Sequence, residues 1–316
     1  MGIAAQGSGG QGAGGSPRAH ERPRVTSGIL NVNKPAGPSS FAVVRTLRRL
    51  PGVLKAGHGG TLDPAAEGVL PILVNGATRI ADFVHEWPKT YVATVTFGFT
   101  SDTGDREGTI VAATDPEAIN RERIEAALPK FTGRIEQVPP LYSALKQGGE
   151  ALYRKARRGE AVERRARVVE IFSIRLLDYD SVAGTARIEV NSGRGMYVRS
   201  LAQDLGAALG SGAYLSALVR TAIGPLTEAD AVPMATLAEA GEGWTRWLLP
   251  MDLPLRRWPA VALDAAGAAA VRRGLAVPAP DTTGGRYRLL GPDGELVAWG
   301  EADATRRIQP RAVFSV

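Results

Sequence analysis

Gly57-His58-Gly59-Gly60-Thr61-Leu62-Asp63-Pro64 sets one carboxylate at the end of a glycine-lined turn, with a histidine five residues before it. Glycine frees the backbone and lets a bulky group come close to the main chain, while Pro64 restricts the dihedrals after Asp63 and can open a helix. Two roles are open to the carboxylate. It can act on a ligand held against the turn, or it can accept backbone N–H groups as a helix N-cap with proline at the first helical position. A second pair, Asp115-Pro116, precedes Ile119, Ile124, Ala127 and Leu128 at amphipathic-helix spacing, where capping alone is a sufficient role. Residue types leave both roles open for Asp63.

Around the turn the pattern is that of an α+β domain. Gly28 to Val32 reads as a strand, Pro35 to Pro38 as a turn, and Ser40 as the N-cap of a helix to Leu50, with Val43, Leu47 and Leu50 inward and Arg45, Arg48 and Arg49 in water. Val69 to Val74 fits a buried strand or a core helix segment equally. In Thr90 to Phe99, Tyr91, Ala93, Val95, Phe97 and Phe99 share one face, which predicts a half-buried strand. Further strands are expected at Phe131 to Gln137, Val168 to Leu177 and Ala186 to Val190. Strands dominate and helices interrupt them irregularly, so a largely antiparallel mixed sheet with flanking helices is expected rather than regular βαβ alternation. After Met196, Leu201, Leu205 and Leu209 step by four along a helix that carries Arg199 near its start. A cation there lacks support from the helix dipole, so Arg199 either answers a carboxylate elsewhere or lies exposed on the surface.

Composition narrows the chemistry. The 316 residues hold 38 basic and 32 acidic side chains, a formal charge of +6 and a pI near 9.8, which suits an anionic partner such as RNA. No cysteine occurs, so disulfides, thiolate metal sites and a cysteine nucleophile are excluded. His20, His58 and His85 are scattered without ligand spacing; no metal site is expected and no cofactor is demanded. The stretch 1–26 is rich in Gly, Ala and Ser and reads as a disordered tail. Neither a signal peptide nor a membrane span is recognisable, so a soluble, cytoplasmic protein is expected.

Between residues 141 and 167 the chain concentrates positive charge: Arg154, Lys155, Arg157, Arg158, Arg164, Arg165 and Arg167 stand against Glu160 and Glu163, with Tyr142 and Tyr153 beside or within the run. Such a stretch is either a solvated face or a nucleic-acid contact that pairs cations for phosphates with rings for stacking.

Five motifs then occur in one order: Gly28-Ile29-Leu30-Asn31-Val32-Asn33-Lys34-Pro35, the Gly57 to Pro64 turn, Lys89-Thr90-Tyr91, Gln137 through Lys146, and Arg194-Gly195-Met196-Tyr197-Val198-Arg199. Together they resemble the TruB family of bacterial tRNA pseudouridine-55 synthases, from about Gly28 to the end of the chain. The resemblance implies a pseudouridine synthase fold over 27–253, a small β-rich PUA-like module over 254–316, and a cofactor-free, metal-free, monomeric isomerase. Its substrate would be one uridine in the T-loop of tRNA.

The resemblance also assigns residues. Asp63 matches the essential catalytic aspartate, either as nucleophile or as base, and Arg199 matches the arginine paired with it. Tyr91, Tyr197 and Leu218 match residues that line the pocket or touch the substrate, and His58 matches the histidine that helps hold the RNA loop open. The 141–167 stretch, with Arg154, Lys155, Arg157 and Arg158, corresponds to an RNA-clasping segment. Three positions depart from the usual pattern: Asn33, Tyr214 and Gly59, the last suggesting a looser loop around His58. Two other classes compete, an RNA-remodelling protein without catalysis and a guide-RNA-dependent relative. The Asp63 and Arg199 pair is pointless for grip alone, and the longer C-terminal module of the guided relatives is not seen here.

Overall fold

The computed structural model describes residues 26–113, 119–143, 146–147, 150–151, 158, 160, 162–280 and 284–314. The Asp115-Pro116 pair, the tail up to residue 25 and most of the basic stretch, including Arg154, Lys155 and Arg157, lie outside them.

The principal sheet is built on β1 (Gly28–Lys34), β2 (Ala56–His58), β3 (Glu67–Val74), β4 (Lys89–Phe97), β5 (Gly133–Gln137), β6 (Arg167–Asp180), β7 (Thr185–Ser192), β8 (Ala213–Ile223) and β9 (Val232–Pro233). Its spatial order is β9-β1-β3-β8-β4-β7-β6-β5, with β2 on the flank of β3. All neighbours run antiparallel except β1 with β9 and β3 with β8, so the sheet is mixed but largely antiparallel, as the sequence predicts.

Helices α1 (Ser40–Leu47), α2 (Ala81–His85), α3 (Arg121–Ala127) and α4 (Val198–Leu209) flank this sheet. Leu30, Val32, Leu70 and Ile72 face the core shared with α1 and α4, while Ile29, Val69 and Leu73 face a second apolar cluster. Both faces of β3 are therefore covered. That explains why Val69 to Val74 has no strand alternation: a strand buried on both sides needs apolar residues throughout.

Several sequence-based boundaries shift. The N-cap of α1 is Ser39, whose hydroxyl accepts the Ala42 N–H, and the helix ends at Leu47 rather than Leu50, although Leu50 is still buried. Helix α3 starts at Arg121 under an Asn120 cap, with Ile119, Ile124, Ala127 and Leu128 all buried as expected. Phe99 does not share the buried face of Tyr91 to Phe97. Gly98, at φ +83°, ends β4 before it and leaves the ring partly exposed.

A second sheet follows: β10 (Ala260–Ala262), β11 (Val277–Pro278), β12 (Gly285–Leu290), β13 (Leu296–Ala302) and β14 (Arg307–Val313), in the order β10-β12-β13-β14-β11. β12 and β13 form a hairpin across the turn Gly291-Pro292-Asp293-Gly294. Trp258 and Trp299 make edge contacts with Phe83, just after the start of α2, and join this sheet to the principal one. No helix among the described residues is long and apolar enough to cross a membrane.

Candidate active site

Asp63 caps no helix. Pro64 and Ala65 form a turn, the Ala66 N–H donates to the Asp63 carbonyl, and the chain passes directly into β3. The carboxylate instead lines a cleft of about 780 Å³, within the size range that accommodates a nucleoside-sized ligand. Tyr91, Tyr197, Arg199, Arg220 and Leu218 line the same cleft.

The loop from Gly60 to Ala66 has no regular structure, so its backbone acceptors need donors from elsewhere. They come from three distant side chains, and a fourth holds the Asp63 carboxylate. Arg220 donates to the carbonyls of Gly60 (3.0 Å) and Thr61 (3.4 Å). The Ser40 hydroxyl accepts the Leu62 N–H and donates to the Leu62 carbonyl, both at 2.8 Å. Lys34, fully buried, donates to Pro35 (2.9 Å), Pro64 (3.1 Å) and Ala66 (2.6 Å), which uses all three of its N–H bonds. Arg199 holds the carboxylate itself, Nη2 to Oδ2, at 3.0 Å.

Arg199 is not a surface arginine; its side chain is only 6% exposed. Besides Asp63 it meets the Asp105 carboxylate at 3.4 Å and donates to the carbonyls of Thr103 (3.2 Å) and Tyr142 (2.8 Å). Asp105 is fixed in turn by the Thr103 hydroxyl (2.6 Å) and the Glu107 N–H (3.0 Å), both on Oδ1. Two carboxylates therefore share one buried guanidinium. Burial pushes the Asp63 carboxyl above the usual carboxylate range; Arg199 pulls it back, and Asp105 adds to the rise.

The remaining residues predicted from sequence fall in and around the cleft. Tyr91 lies on the buried face of β4, opposite Arg220 in the β4–β8 register. Tyr197 precedes α4 and is bracketed by Gln137, whose amide oxygen accepts the Tyr197 N–H at 3.0 Å while its amide nitrogen donates to the Tyr197 carbonyl at 3.2 Å. Burial raises the pKa of the Tyr197 hydroxyl, and the nearby Ser143 hydroxyl and Arg199 guanidinium oppose the rise.

His58 ends β2 next to the cleft rather than in its lining; burial, then His85, then Arg220 depress its pKa, which favours the neutral imidazole. Its Nδ1 is buried with no hydrogen-bond partner. Gly59 is not a looser substitute. A Cβ there would stand 2.4 Å from Val84 Cγ1, so the loop is packed against α2 at this point. Arg158 is exposed and ion-paired with both Glu150 and Glu160, each at 2.6 Å.

Sequence reasoning missed Lys34, Ser40, Asp105, Gln137 and Arg220 as site residues. Lys34 and Gln137 stood inside quoted motifs and Arg220 two residues after Leu218, but nothing in their spacing tells which carbonyls they serve. The acidic turn Asp102-Thr103-Gly104-Asp105 gave no sign that its second carboxylate reaches Arg199. Among the described residues, no cluster of His, Asp and Glu is arranged to hold a metal ion.

The family model for TruB family pseudouridylate synthases (N-terminal domain) matches residues 48–198, and that for the tRNA pseudouridylate synthase B C-terminal domain matches 199–256. The chain belongs to the TruB family. Its relatives include tRNA pseudouridine synthase B of Syntrophomonas wolfei, 41% identical over 296 residues that cover 92% of this chain and 99% of that protein. The enzyme of the same name from Pseudomonas aeruginosa is 41% identical over 297 residues, 92% of this chain and 97% of its own. Among solved structures, a chain in a crystal structure of a Cbf5-Nop10-Gar1 complex matches this TruB-family fold with a TM-score of 0.68 at 29% identity, over 91% of this chain and 85% of that one.

Proposed function

We propose that this TruB-family enzyme, a pseudouridine synthase acting on tRNA, isomerises uridine 55 of the T-loop with Asp63 as its essential group. The observation that carries this is the Asp63 carboxylate. It is held at the floor of a nucleoside-sized cleft by a buried arginine and a fully bonded loop. A structural carboxylate would not need to face the cleft.

The reaction breaks the N1–C1′ bond, turns the uracil and joins C5 to C1′; a proton leaves C5 and one is gained at N1, so nothing is consumed. Asp63 either attacks C1′ or removes a sugar proton, and each course requires its ionised form, which Arg199 favours and aims. The target base sits inside a folded RNA loop, so it is extruded and the lost stacking is recovered in the cleft. Tyr91 supplies the stacking surface there, Tyr197 and Leu218 close the walls, and His58 supports the opened loop. The 141–167 stretch clasps the RNA by charge, Arg154, Lys155 and Arg157 meeting phosphates in this reading, while Arg158 is partly neutralised by its two glutamates.

Wild type and Asp63→Asn are compared on an unmodified tRNA transcript, with pseudouridine mapped by position and binding measured in parallel. Modification at position 55 that disappears in the variant while binding persists supports the assignment. Binding without pseudouridine in wild type would remove it, and modification elsewhere in the tRNA would reassign the target.

A further inference from the structure

Arg220 is the most deeply buried cation of the cleft, at 1% exposure. Its Nε donates to the Val69 carbonyl (2.8 Å), Nη2 to Gly60 (3.0 Å) and Nη1 to Thr61 (3.4 Å), and Tyr91 is its cross-strand partner on β4, lining the same cleft. All these partners are neutral. Among the described residues no carboxylate pairs with it, whereas Arg199 has two and Arg194 has Glu86. An uncompensated guanidinium in a low-dielectric site is costly to the fold, and scaffolding of carbonyls alone could be done by neutral donors. Its positive field reaches the surrounding groups. Lys34 and Lys89, each depressed to about 8 first by burial, and His58, also lowered first by burial, are pushed further down by Arg220.

Resting on the function proposed above, we propose that Arg220 is the positioning cation that stabilises negative charge on the uracil between its detachment from N1 and its reattachment through C5. When N1–C1′ breaks, the bonding electron pair leaves with the base, which becomes an anion while C1′ is satisfied through the chemistry of Asp63. The anion then bonds C1′ through C5, the C5 proton leaves and N1 takes a proton, so charge and atoms balance without an outside reagent. Arg220 acts through the Tyr91 hydroxyl and through the floor it fixes, at the place where that charge develops. Fixed dipoles and charges aimed at developing charge cost no reorganisation during the reaction.

The test exploits the leaving base. Single-turnover loss of the N1-linked nucleoside is followed on tRNA carrying uridine or 5-fluorouridine at the target, whose fluorine makes the detached base a weaker base that needs less stabilisation. With Arg220→Gln the rate on uridine is expected to fall about 100-fold, and the fall on 5-fluorouridine to be at least several-fold smaller, with tRNA affinity unchanged. Arg220→Lys, which keeps the charge but not the fork, should recover part of the uridine rate. Tyr91→Phe, which leaves Arg220 in place and keeps the protein foldable if the Arg220 variants are not, should show the same substrate-dependent loss. Equal losses on both bases, in whichever of these variants folds, overturn the proposal and leave Arg220 a scaffold. Absence of pseudouridine from wild type on uridine would instead strike the function itself.

Discussion

Replacing Arg199 by Met keeps a buried stem of similar length and removes the fork that serves Asp63 and Asp105. At 3.0 Å and 3.4 Å, each charge contact has a direct attraction of about 5 kcal/mol in an effective dielectric of about 20. That is a ceiling for Asp63, whose side chain is 41% exposed and screened by solvent, and a closer measure for Asp105 at 11%. Breaking a buried ionic cluster by removing one member costs about 3–5 kcal/mol, because the remaining charges stay behind unpaired. For a protein of this size that lowers Tm by roughly 4–8 °C.

The kinetic consequence of Arg199→Met has a definite sign. Burial already holds the Asp63 carboxyl above its ordinary range and Arg199 opposes that, so removal of the cation raises it further. Activity that needs ionised Asp63 is lost as pH falls through its pKa; the acidic limb of the single-turnover profile therefore moves to higher pH in the variant. On the alkaline side of that limb the carboxylate is charged in both proteins, and a residual deficit of about 100-fold or more is expected from lost aim alone. Rates measured from pH 5.5 to 9 alongside thermal melts decide it. An acidic limb that stays in place, or moves to lower pH, in a folded variant would refute the assignment of Arg199 as the group that keeps Asp63 ionised.

Lys34 carries a second pH prediction. Its amine is depressed to about 8 in the folded chain against 10.5 ordinarily, so between those values the unfolded chain binds more protons and stability rises with pH. Lys89, also at about 8, contributes in the same window; Lys34→Met should flatten part of the rise in urea midpoints from pH 8 to 10 and lower stability by about 2–3 kcal/mol through the orphaned carbonyls. Gly68→Ala should destabilise by about 2–4 kcal/mol, read by thermal melting, since Gly68 sits at φ +97° and a Cβ would lie 2.3 Å from the Arg220 carbonyl. In the basic stretch, neutralising Arg154, Lys155 and Arg157 together should weaken tRNA binding and reduce its salt slope by about two. Arg158→Ala should change the slope by less than one unit, because Glu150 and Glu160 already engage it. Equal slopes for all variants would remove the clasp.

β4 was legible because one of its faces is wet: Tyr91, Ala93, Val95 and Phe97 alternate with half-exposed Val92 and Thr94, as predicted, whereas β8 was not recognised as a strand. Where both faces are covered, as in β3, alternation vanishes and sequence cannot tell strand from helix. The ends of α1 were off by one residue at its start and three at its end, and α3 starts at Arg121 rather than just after Asp115-Pro116; at the start of α1 two neighbouring serines compete for the cap. Ser39 took the cap of α1 and released Ser40 for the Leu62 backbone, a choice that depends on a loop 22 residues away. Asp63, Tyr91, Tyr197, Leu218 and Arg199 were all legible as members of one site and do meet at one cleft. What holds them was not.

The part that escaped is the part with the longest sequence separations. A seven-residue loop with no ladder of its own must have each exposed acceptor served, and the donors sit 22 to 160 residues distant on α1, β1 and β8. Hydrogen-bond donors on lysine, serine and arginine are common, so their residue type carries little information until the fold brings them together. Once it does, the charge balance becomes informative in a way that composition was not. Arg199 is matched by carboxylates, Lys34 has all its N–H bonds on carbonyls, and Arg220 alone of the three lines the cleft without an anionic partner among the described residues. A fold under selection for stability alone would gain by replacing that guanidinium with a neutral donor. Its presence beside Tyr91 is therefore better explained by a charge that exists only while the substrate reacts.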